Sequence, residues 1–185
     1  MGKLSFVSQY VTKPRSVGAF LPSSKYLASK MVERINFDEA KCIIEYGAGT
    51  GIFTEKILKM RKPGTVVFVF EMNETFCKEL TERFGHEPDL YIHNETAEYT
   101  ALRLAGHRIQ SADYIVSGLP FASMPPDVSE RILRQTQICL RPGGMFITFQ
   151  YTLLKKGLIQ RFFENVEVER EVKNVPPAYI LYCTH

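Results

Sequence analysis

The chain has 185 residues, of which 45% are hydrophobic and 23% are charged, and its formal net charge is +3. These fractions are typical of a folded globular protein and exclude a disordered or collagen-like chain. The longest apolar stretches, such as VVFVF at 66–70, are too short to span a bilayer, and the N-terminus lacks the apolar core of a signal peptide. We therefore expect one globular domain located in the cytoplasm.

Positive charge is concentrated at the N-terminus. Residues 1–32 contain five basic side chains and no acidic one: Lys3, Lys13, Arg15, Lys25 and Lys30. This pattern predicts an anionic partner, although a solvated tail would explain it equally well. A helix should follow the arm, with Ser23 or Ser24 as its N-cap and with Leu27, Met31 and Ile35 on one face. We therefore divide the chain into a basic arm with its helix at 1–36 and a main domain at 37–185.

The main domain alternates short apolar runs with amphipathic segments. The predicted strands are 42–46, 66–70, 90–93, 114–117 and 145–151, and the predicted helices are 52–60, 74–84 and 126–140. Such alternation predicts parallel strands with helices on both faces, which is an α/β, Rossmann-like sheet. The last two runs, 166–172 and 178–184, are joined by a link too short for a parallel crossover, so they should form an antiparallel hairpin. The expected sheet has seven strands and is mostly parallel.

The strongest local signal is the stretch IIEYGAGTGIFTEKIL at 43–58. A strand runs into a glycine-rich turn, and the turn runs into a helix. Glycines at 47, 49 and 51 let the backbone turn tightly and approach a ligand, and the amides at the helix start can bind polar groups. The alternative interpretation is a purely structural glycine turn. An acidic residue, Glu71, closes the next strand 20 residues after Gly51, which is a spacing typical of a carboxylate that binds ribose hydroxyls.

With Glu45 two residues before its first glycine, the loop reads E-x-G-x-G-x-G and resembles motif I of class I S-adenosylmethionine (SAM) methyltransferases. The resemblance implies SAM as cofactor, S-adenosylhomocysteine as product and no metal. It implies these cofactor-binding residues: Glu45, Gly47, Ala48, Gly49, Thr50, Gly51, Glu71, Met72, Thr96 and Ala97. Met72 has an alternative role in plain packing. Many relatives have an aspartate where Thr96 aligns.

The fourth predicted strand leads into SGLPFASMPP at 117–126, a loop that borders the reactive methyl group in this fold. Together with 17–31, 142–152 and 161–183, this loop resembles the bacterial phospholipid N-methyltransferases, which methylate phosphatidylethanolamine and are related to the ribosomal RNA adenine dimethyltransferases. The resemblance implies that Ser117, Gly118, Leu119, Pro120 and Phe121 form the catalytic loop. The carbonyls of Ser117 and Gly118 would orient the amine. Phe121 would either face an ammonium group or pack on the sheet.

Gly118 occupies the position at which the adenine enzymes would have an asparagine that grips the adenine amino group. The chain also ends at His185, without room for the helical C-terminal domain that such enzymes commonly use on RNA. We therefore expect a phospholipid amine as acceptor and consider nucleic acid less favoured. A small soluble amine and a non-catalytic SAM-binding module remain alternatives.

A lipid acceptor would give the basic arm a use, because residues 1–30 could contact an anionic membrane surface peripherally or cover the SAM pocket as a lid. The number of methyl groups transferred, the oligomeric state and the proton acceptor stay open. Tyr26, Tyr151 and His93 are candidate bases by residue type alone.

Overall fold

A computed structural model describes residues 24–185. Most of the predicted basic arm, residues 1–23, lies outside the described residues. The strands are β1 (Cys42–Tyr46), β2 (Val66–Phe70), β3 (Leu90–His93), β4 (Ala112–Ser117), β5 (Leu140–Gln150), β6 (Asn165–Glu171) and β7 (Ala178–Thr184). The helices are α1 (Lys25–Val32), α2 (Ile52–Met60), α3 (Glu74–Phe84), α4 (Thr100–Gly106), α5 (Pro126–Cys139) and α6 (Lys156–Ile159), with a 3₁₀ turn at Ala97–Tyr99.

The seven strands form one sheet in the order β3-β2-β1-β4-β5-β7-β6. The first five strands along the chain pair in parallel, whereas β7 pairs antiparallel with both β5 and β6. The prediction of a mostly parallel sheet with an antiparallel C-terminal hairpin is confirmed. Alternate residues of β1 enter two different cores, Ile43 on one face and Ile44 on the other, because successive side chains of a strand point to opposite faces.

Helices cover both faces of the sheet. One core contains Leu27 and Met31 of α1, Ile57 of α2 and Leu80 of α3, and the other contains Leu104, Val128 and Ile132 of α4 and α5. Each of these side chains is at least 96% buried, and such burial contributes roughly 1.5–3 kcal/mol for a large aliphatic residue. None of the helices within residues 24–185 is long and apolar enough to cross a membrane.

The helix predicted after the arm is α1, and it packs on the C-terminal hairpin. Ser24 caps it by accepting a hydrogen bond from the Leu27 amide at 3.1 Å, which confirms one of the two predicted caps. Just beyond the helix, Arg34 pairs with Glu167 at 2.6 Å and with Glu169 at 2.5 Å, and its guanidinium lies 3.8 Å from the centre of the Tyr182 ring. These contacts link the two ends of the described chain.

The structure differs from the predicted elements in a few places. The 3₁₀ turn and α4 were not predicted, because TALRLAG at 100–106 is too short to establish a helical repeat. Strand β5 begins at Leu140 rather than at 145, since Leu140 already pairs with Ala112 and the chain then continues through an irregular register. The short helix α6 was likewise not predicted.

Candidate active site

The site lies where the sheet reverses its order. Strand β1 is flanked by β2 on one side and β4 on the other, and the three parallel strands end together, so that Tyr46 is level with Phe70 and with Ser117. In open α/β sheets, ligands bind in the crevice beyond the carboxyl ends of the strands at such a point. The loops that follow β1, β2 and β4 therefore form one crevice.

The loop after β1 requires its glycines. Gly47, Gly49 and Gly51 have φ angles of +66°, +54° and +80°, which are strained for any residue with a side chain. A Cβ on Gly47 would lie 2.8 Å from Cδ2 of Leu119, whereas a Cβ on Gly49 would meet nothing within 4 Å. The loop is thus packed at Gly47 and open at Gly49, where a ligand can approach the backbone.

Glu71 connects β2 to the glycine loop. Its carboxylate accepts a hydrogen bond from the Gly49 amide at 2.8 Å and another from the Asn73 amide at 2.8 Å, and the residue is only 4% exposed. Burial raises the pKa of this carboxyl group, although the backbone hydrogen bonds oppose the shift. A carboxylate can accept further hydrogen bonds, so this group is suited to vicinal hydroxyls that enter beside the loop.

Glu45 is fully buried in β1, beneath the same loop. Its Oε2 accepts a hydrogen bond from the Thr54 hydroxyl at 2.6 Å, whereas its Oε1 has no partner within the described part of the chain. Burial raises the pKa of the carboxyl group to about 7. An unsatisfied buried carboxylate oxygen is costly unless a ligand compensates it, and a cationic amine does so best. Because Oε1 is as buried as the rest of the side chain, the amino group of a methionine moiety can reach it only if the glycine loop moves to admit it.

The raised pKa of Glu45 predicts a pH-dependent stability. The folded protein binds the proton more tightly than the unfolded chain, so the free energy of unfolding should fall between pH 4.5 and about 7 and level off above. In the wild type this decrease amounts to about 3 kcal/mol, and we expect it to be absent from the Glu45→Gln profile. Urea unfolding at pH 5 and pH 8 measures it, with the exposed Glu79→Gln as control. If the stability of Glu45→Gln changes with pH as much as that of the wild type, Glu45 is not the source of the pH dependence.

The other predicted cofactor residues lie along the same edge. Ala48 is buried, and Met72 is half-buried directly after Glu71. Thr50 is exposed, and its carbonyl accepts a hydrogen bond from Arg83 at 2.6 Å. Thr96 accepts a hydrogen bond from the Glu98 amide and caps the 3₁₀ turn that begins at Ala97. Thr96 and Ala97 thus have a structural role in the turn after β3.

The loop after β4 approaches the glycine loop backbone to backbone. The Gly118 amide donates a hydrogen bond to the Tyr46 carbonyl at 2.8 Å, and the buried Ser117 hydroxyl accepts one from the Leu119 amide at 3.2 Å. A Cβ on Gly118 would lie 2.6 Å from the Gly47 carbonyl oxygen, well inside contact distance. The glycine is therefore required by the close approach of the two loops, and this backbone has no space for an asparagine.

Gln150 holds the loop after β4 in place, and its role was not predicted. At the end of β5, its side-chain amide donates to the Leu119 carbonyl at 3.0 Å and accepts from the Ala122 amide at 3.3 Å. The side chain is almost completely buried. The signal in the sequence was a lone glutamine at the end of the apolar run MFITFQ, where a buried polar side chain must have partners.

Phe121 is completely buried, and its ring packs edge-on against Phe146 at 6.3 Å between centroids. Of its two predicted roles, this burial favours packing on the sheet, because the ring has no surface left for an ammonium group. Pro120 and Leu119 are half-buried and complete the turn above it. The loop is therefore anchored by an apolar ring below and by Gln150 at its side.

The three candidate bases lie at the end of β3, at the start of α1 and just after β5. The His93 ring packs against Phe68 and Phe70, and burial lowers its pKa. Tyr26 is exposed, and the Tyr151 ring lies against Phe149. No hydrogen bond within residues 24–185 joins any of them to the loop at 117–121. Nor does that part of the chain hold three His, Cys, Asp or Glu side chains grouped to bind a metal ion.

Two similar proteins of known sequence differ in how much of their length the chain matches. The chain is 30% identical over 181 residues to an ornithine lipid N-methyltransferase of Singulisphaera acidiphila, covering 96% of this chain and 93% of that protein. It is 26% identical over 149 residues to the ribosomal RNA small subunit methyltransferase A of Dehalococcoides mccartyi, covering 79% of this chain but only 48% of that protein.

A solved structure shares the fold. The 16S rRNA N2 G1207 methyltransferase of Thermus thermophilus, in complex with AdoMet and guanosine, superposes with a TM-score of 0.66 at 19% identity over 92% of this chain and 44% of that one. The family model of the ribosomal RNA adenine dimethylases matches residues 13–161. The chain is thus a member of the ribosomal RNA adenine dimethylase family and a SAM-dependent methyltransferase with the Rossmann-like fold of its class.

Proposed function

We propose that this methyltransferase transfers a methyl group from SAM to the primary amine of a membrane lipid, and that this lipid is phosphatidylethanolamine. The observation that carries the proposal is the close approach of Gly118 to the Gly47 carbonyl, which leaves no space for an adenine-gripping carboxamide. The likeness to an ornithine lipid N-methyltransferase over nearly the whole chain supports a lipid amine as the acceptor class.

SAM, when bound, supplies an electrophilic methyl group on a sulfonium centre. We assign the ribose hydroxyls to the Glu71 carboxylate and the amino group of the methionine moiety to Oε1 of Glu45. The orphaned oxygen of Glu45 supports the second assignment, and the position of the Glu71 carboxylate beside the open Gly49 supports the first. Met72 and the turn at Thr96 and Ala97 would border the adenine.

The loop at 117–121 would position the acceptor amine. In the proposal, the carbonyls of Ser117 and Gly118 accept hydrogen bonds from the amine and direct its lone pair toward the methyl group. An ammonium has no lone pair, so the amine must first lose a proton, and desolvation in the crevice lowers the amine's pKa. Holding two reactants in line can contribute on the order of 7–11 kcal/mol, so positioning by a rigid loop is a sufficient catalytic strategy.

A direct test supplies labelled SAM with three acceptors in parallel: vesicles containing phosphatidylethanolamine, vesicles containing ornithine lipid, and ribosomal RNA. We expect label in a lipid amine and none in RNA. Label in ornithine lipid alone would support a lipid amine as the acceptor and refute phosphatidylethanolamine as the particular lipid. Label in RNA adenine alone, or SAM binding without transfer to any acceptor including a metabolite extract, would refute the proposal.

Removal of the Gln150 side chain should slow methyl transfer without weakening SAM binding. Gln150→Leu leaves the Leu119 carbonyl and the Ala122 amide without partners, so we expect the rate to fall about tenfold or more and the free energy of unfolding to fall by about 1–3 kcal/mol. Transfer assays and SAM calorimetry measure the two effects. Gln137→Leu is the control, since Gln137 donates to the Phe162 carbonyl away from the crevice. An unchanged rate would show that the loop needs no such support.

A further inference from the structure

We propose that a defined surface beside the crevice docks on an anionic lipid bilayer, and this inference deepens the proposed lipid acceptor. We call this surface the carboxyl-edge rim. It consists of residues 151–156, residues 172–177, and Lys25 and Tyr26 at the start of α1. A lipid head group stays at the bilayer surface, so the enzyme must present its crevice to that surface, and the rim lies at the same edge of the sheet, on the side of β5, β7 and β6.

Strand pairing brings the two rim segments together. Gln150, the last residue of β5, is level with Tyr179, and Glu171, the last residue of β6, is level with Ala178. The segments 151–156 and 172–177 therefore leave the sheet side by side. Gln150 also donates a hydrogen bond to the Leu119 carbonyl in the proposed acceptor loop. The first rim segment begins at the next residue, Tyr151. The rim and the proposed acceptor site thus share one edge of the sheet.

The rim exposes large apolar side chains. Leu154 is 84% exposed, Val175 74%, Val172 64% and Tyr26 56%. An isolated exposed apolar residue needs no explanation, but several on one edge indicate a contact surface. Leu154, Val172 and Val175 stand on two short loops and Tyr26 on the first turn of α1. Such separate projections are suited to insertion among lipid head groups rather than to burial in a flat protein interface.

Lysines lie between these projections. Lys155 and Lys156 follow Leu154, Lys173 lies between Val172 and Val175, and Lys25 precedes Tyr26. Neither rim segment contains an aspartate or glutamate, and no ion pair within residues 24–185 uses any of these four lysines. The adjacent Glu171 is buried, and it accepts a hydrogen bond from the Lys173 amide. The surface is therefore complementary to anionic lipid head groups.

Hydrogen bonds hold the loop at 172–177 in one conformation, and in that conformation Val172 and Val175 are exposed. Asn174 is buried among them. Its Oδ1 accepts a hydrogen bond from the Ser24 amide at 3.2 Å, and its Nδ2 donates to the Pro176 carbonyl at 2.7 Å. Lys173 lies over the Tyr26 ring at 5.3 Å, which joins the start of α1 to the same loop. The loop at 172–177 and the start of α1 therefore form one preformed part of the rim.

The test measures flotation of the full chain with vesicles of phosphatidylcholine, with or without phosphatidylglycerol. We expect binding to the anionic vesicles and a loss of about tenfold or more in Leu154→Glu/Val175→Glu. We expect a loss of about fivefold per lysine in Lys155→Gln/Lys156→Gln, which removes one positive charge at each position. Ile138→Glu is the matched control. Ile138 is 61% exposed at the end of α5, next to the start of β5 and so at the opposite edge of the sheet.

A second readout separates this inference from the proposed function. Transfer to a short-chain phosphatidylethanolamine, kept below its micelle concentration, should persist in the rim variants, while transfer to vesicles falls with binding. SAM affinity and thermal unfolding check that the variants are folded. The proposal that the rim docks on a bilayer would be refuted if Leu154→Glu/Val175→Glu bound vesicles as well as the wild type does. It would also be refuted if the wild type bound neutral and anionic vesicles equally. Anionic binding that depends on the rim, without methylation of any lipid, would support the rim and refute the proposed function.

Discussion

Replacement of Glu71 by alanine is expected to weaken SAM binding by about 100-fold. The carboxylate is buried at the end of β2, where it accepts hydrogen bonds from the amides of Gly49 and Asn73. Its loss removes the assigned ribose contacts, and two hydrogen bonds to a charged group contribute about 3 kcal/mol, which corresponds to roughly two decades in affinity. Isothermal titration calorimetry with SAM and S-adenosylhomocysteine measures the effect.

Two further variants make that result interpretable. Glu71→Gln keeps the size of the side chain and one acceptor oxygen, so we expect a smaller loss than in Glu71→Ala. Glu79→Ala removes an exposed carboxylate from α3 of the same region and should leave SAM affinity unchanged. If Glu71→Ala binds SAM like wild type while its thermal unfolding is also unchanged, the cofactor has been placed wrongly.

The substitution Gly118→Asn is expected to reduce lipid methylation by at least about 100-fold, and not to confer methylation of RNA adenine. Its Cβ would lie 2.6 Å from the Gly47 carbonyl oxygen, and that backbone cannot retreat easily. The Gly47 amide donates a hydrogen bond to the Phe70 carbonyl, and the Gly118 amide donates one to the Tyr46 carbonyl, both at 2.8 Å. Relief of the clash must shift one of the two loops, at a cost of about 1–3 kcal/mol in stability.

Gly118→Ala separates the steric effect from that of the carboxamide, since it adds only the Cβ. We expect it to lose most of the activity that Gly118→Asn loses. Gly157→Ala is the control, because a Cβ there meets nothing within 4 Å. Initial rates on lipid vesicles and on ribosomal RNA, with denaturant unfolding of each variant, provide the comparison. Retained lipid activity in Gly118→Asn, or new activity on adenine, would refute the argument from Gly118.

Much of the fold could be predicted because its signals are local. The runs at 42–46 and 66–70 are strands with the predicted bounds, since an uninterrupted apolar run between turns is stable only when a sheet buries both of its faces. The hairpin followed from the length of one connection. Helix α4 could not be found in this way, because seven residues contain less than two full repeats of a helical pattern.

In the candidate site, too, the local features could be predicted and the contacts between distant residues could not. The amino-acid sequence by itself determined the glycine loop and the acid that closes the next strand, because a strand, a turn without side chains and a helix are contiguous features. Only the tertiary structure decided that Gly118 lies against Gly47, that Gln150 supports the loop after β4, that Phe121 faces the core, and that the two rim segments lie side by side. Each of these contacts joins residues distant in the chain, and it depends on which strands are neighbours and in what register they pair.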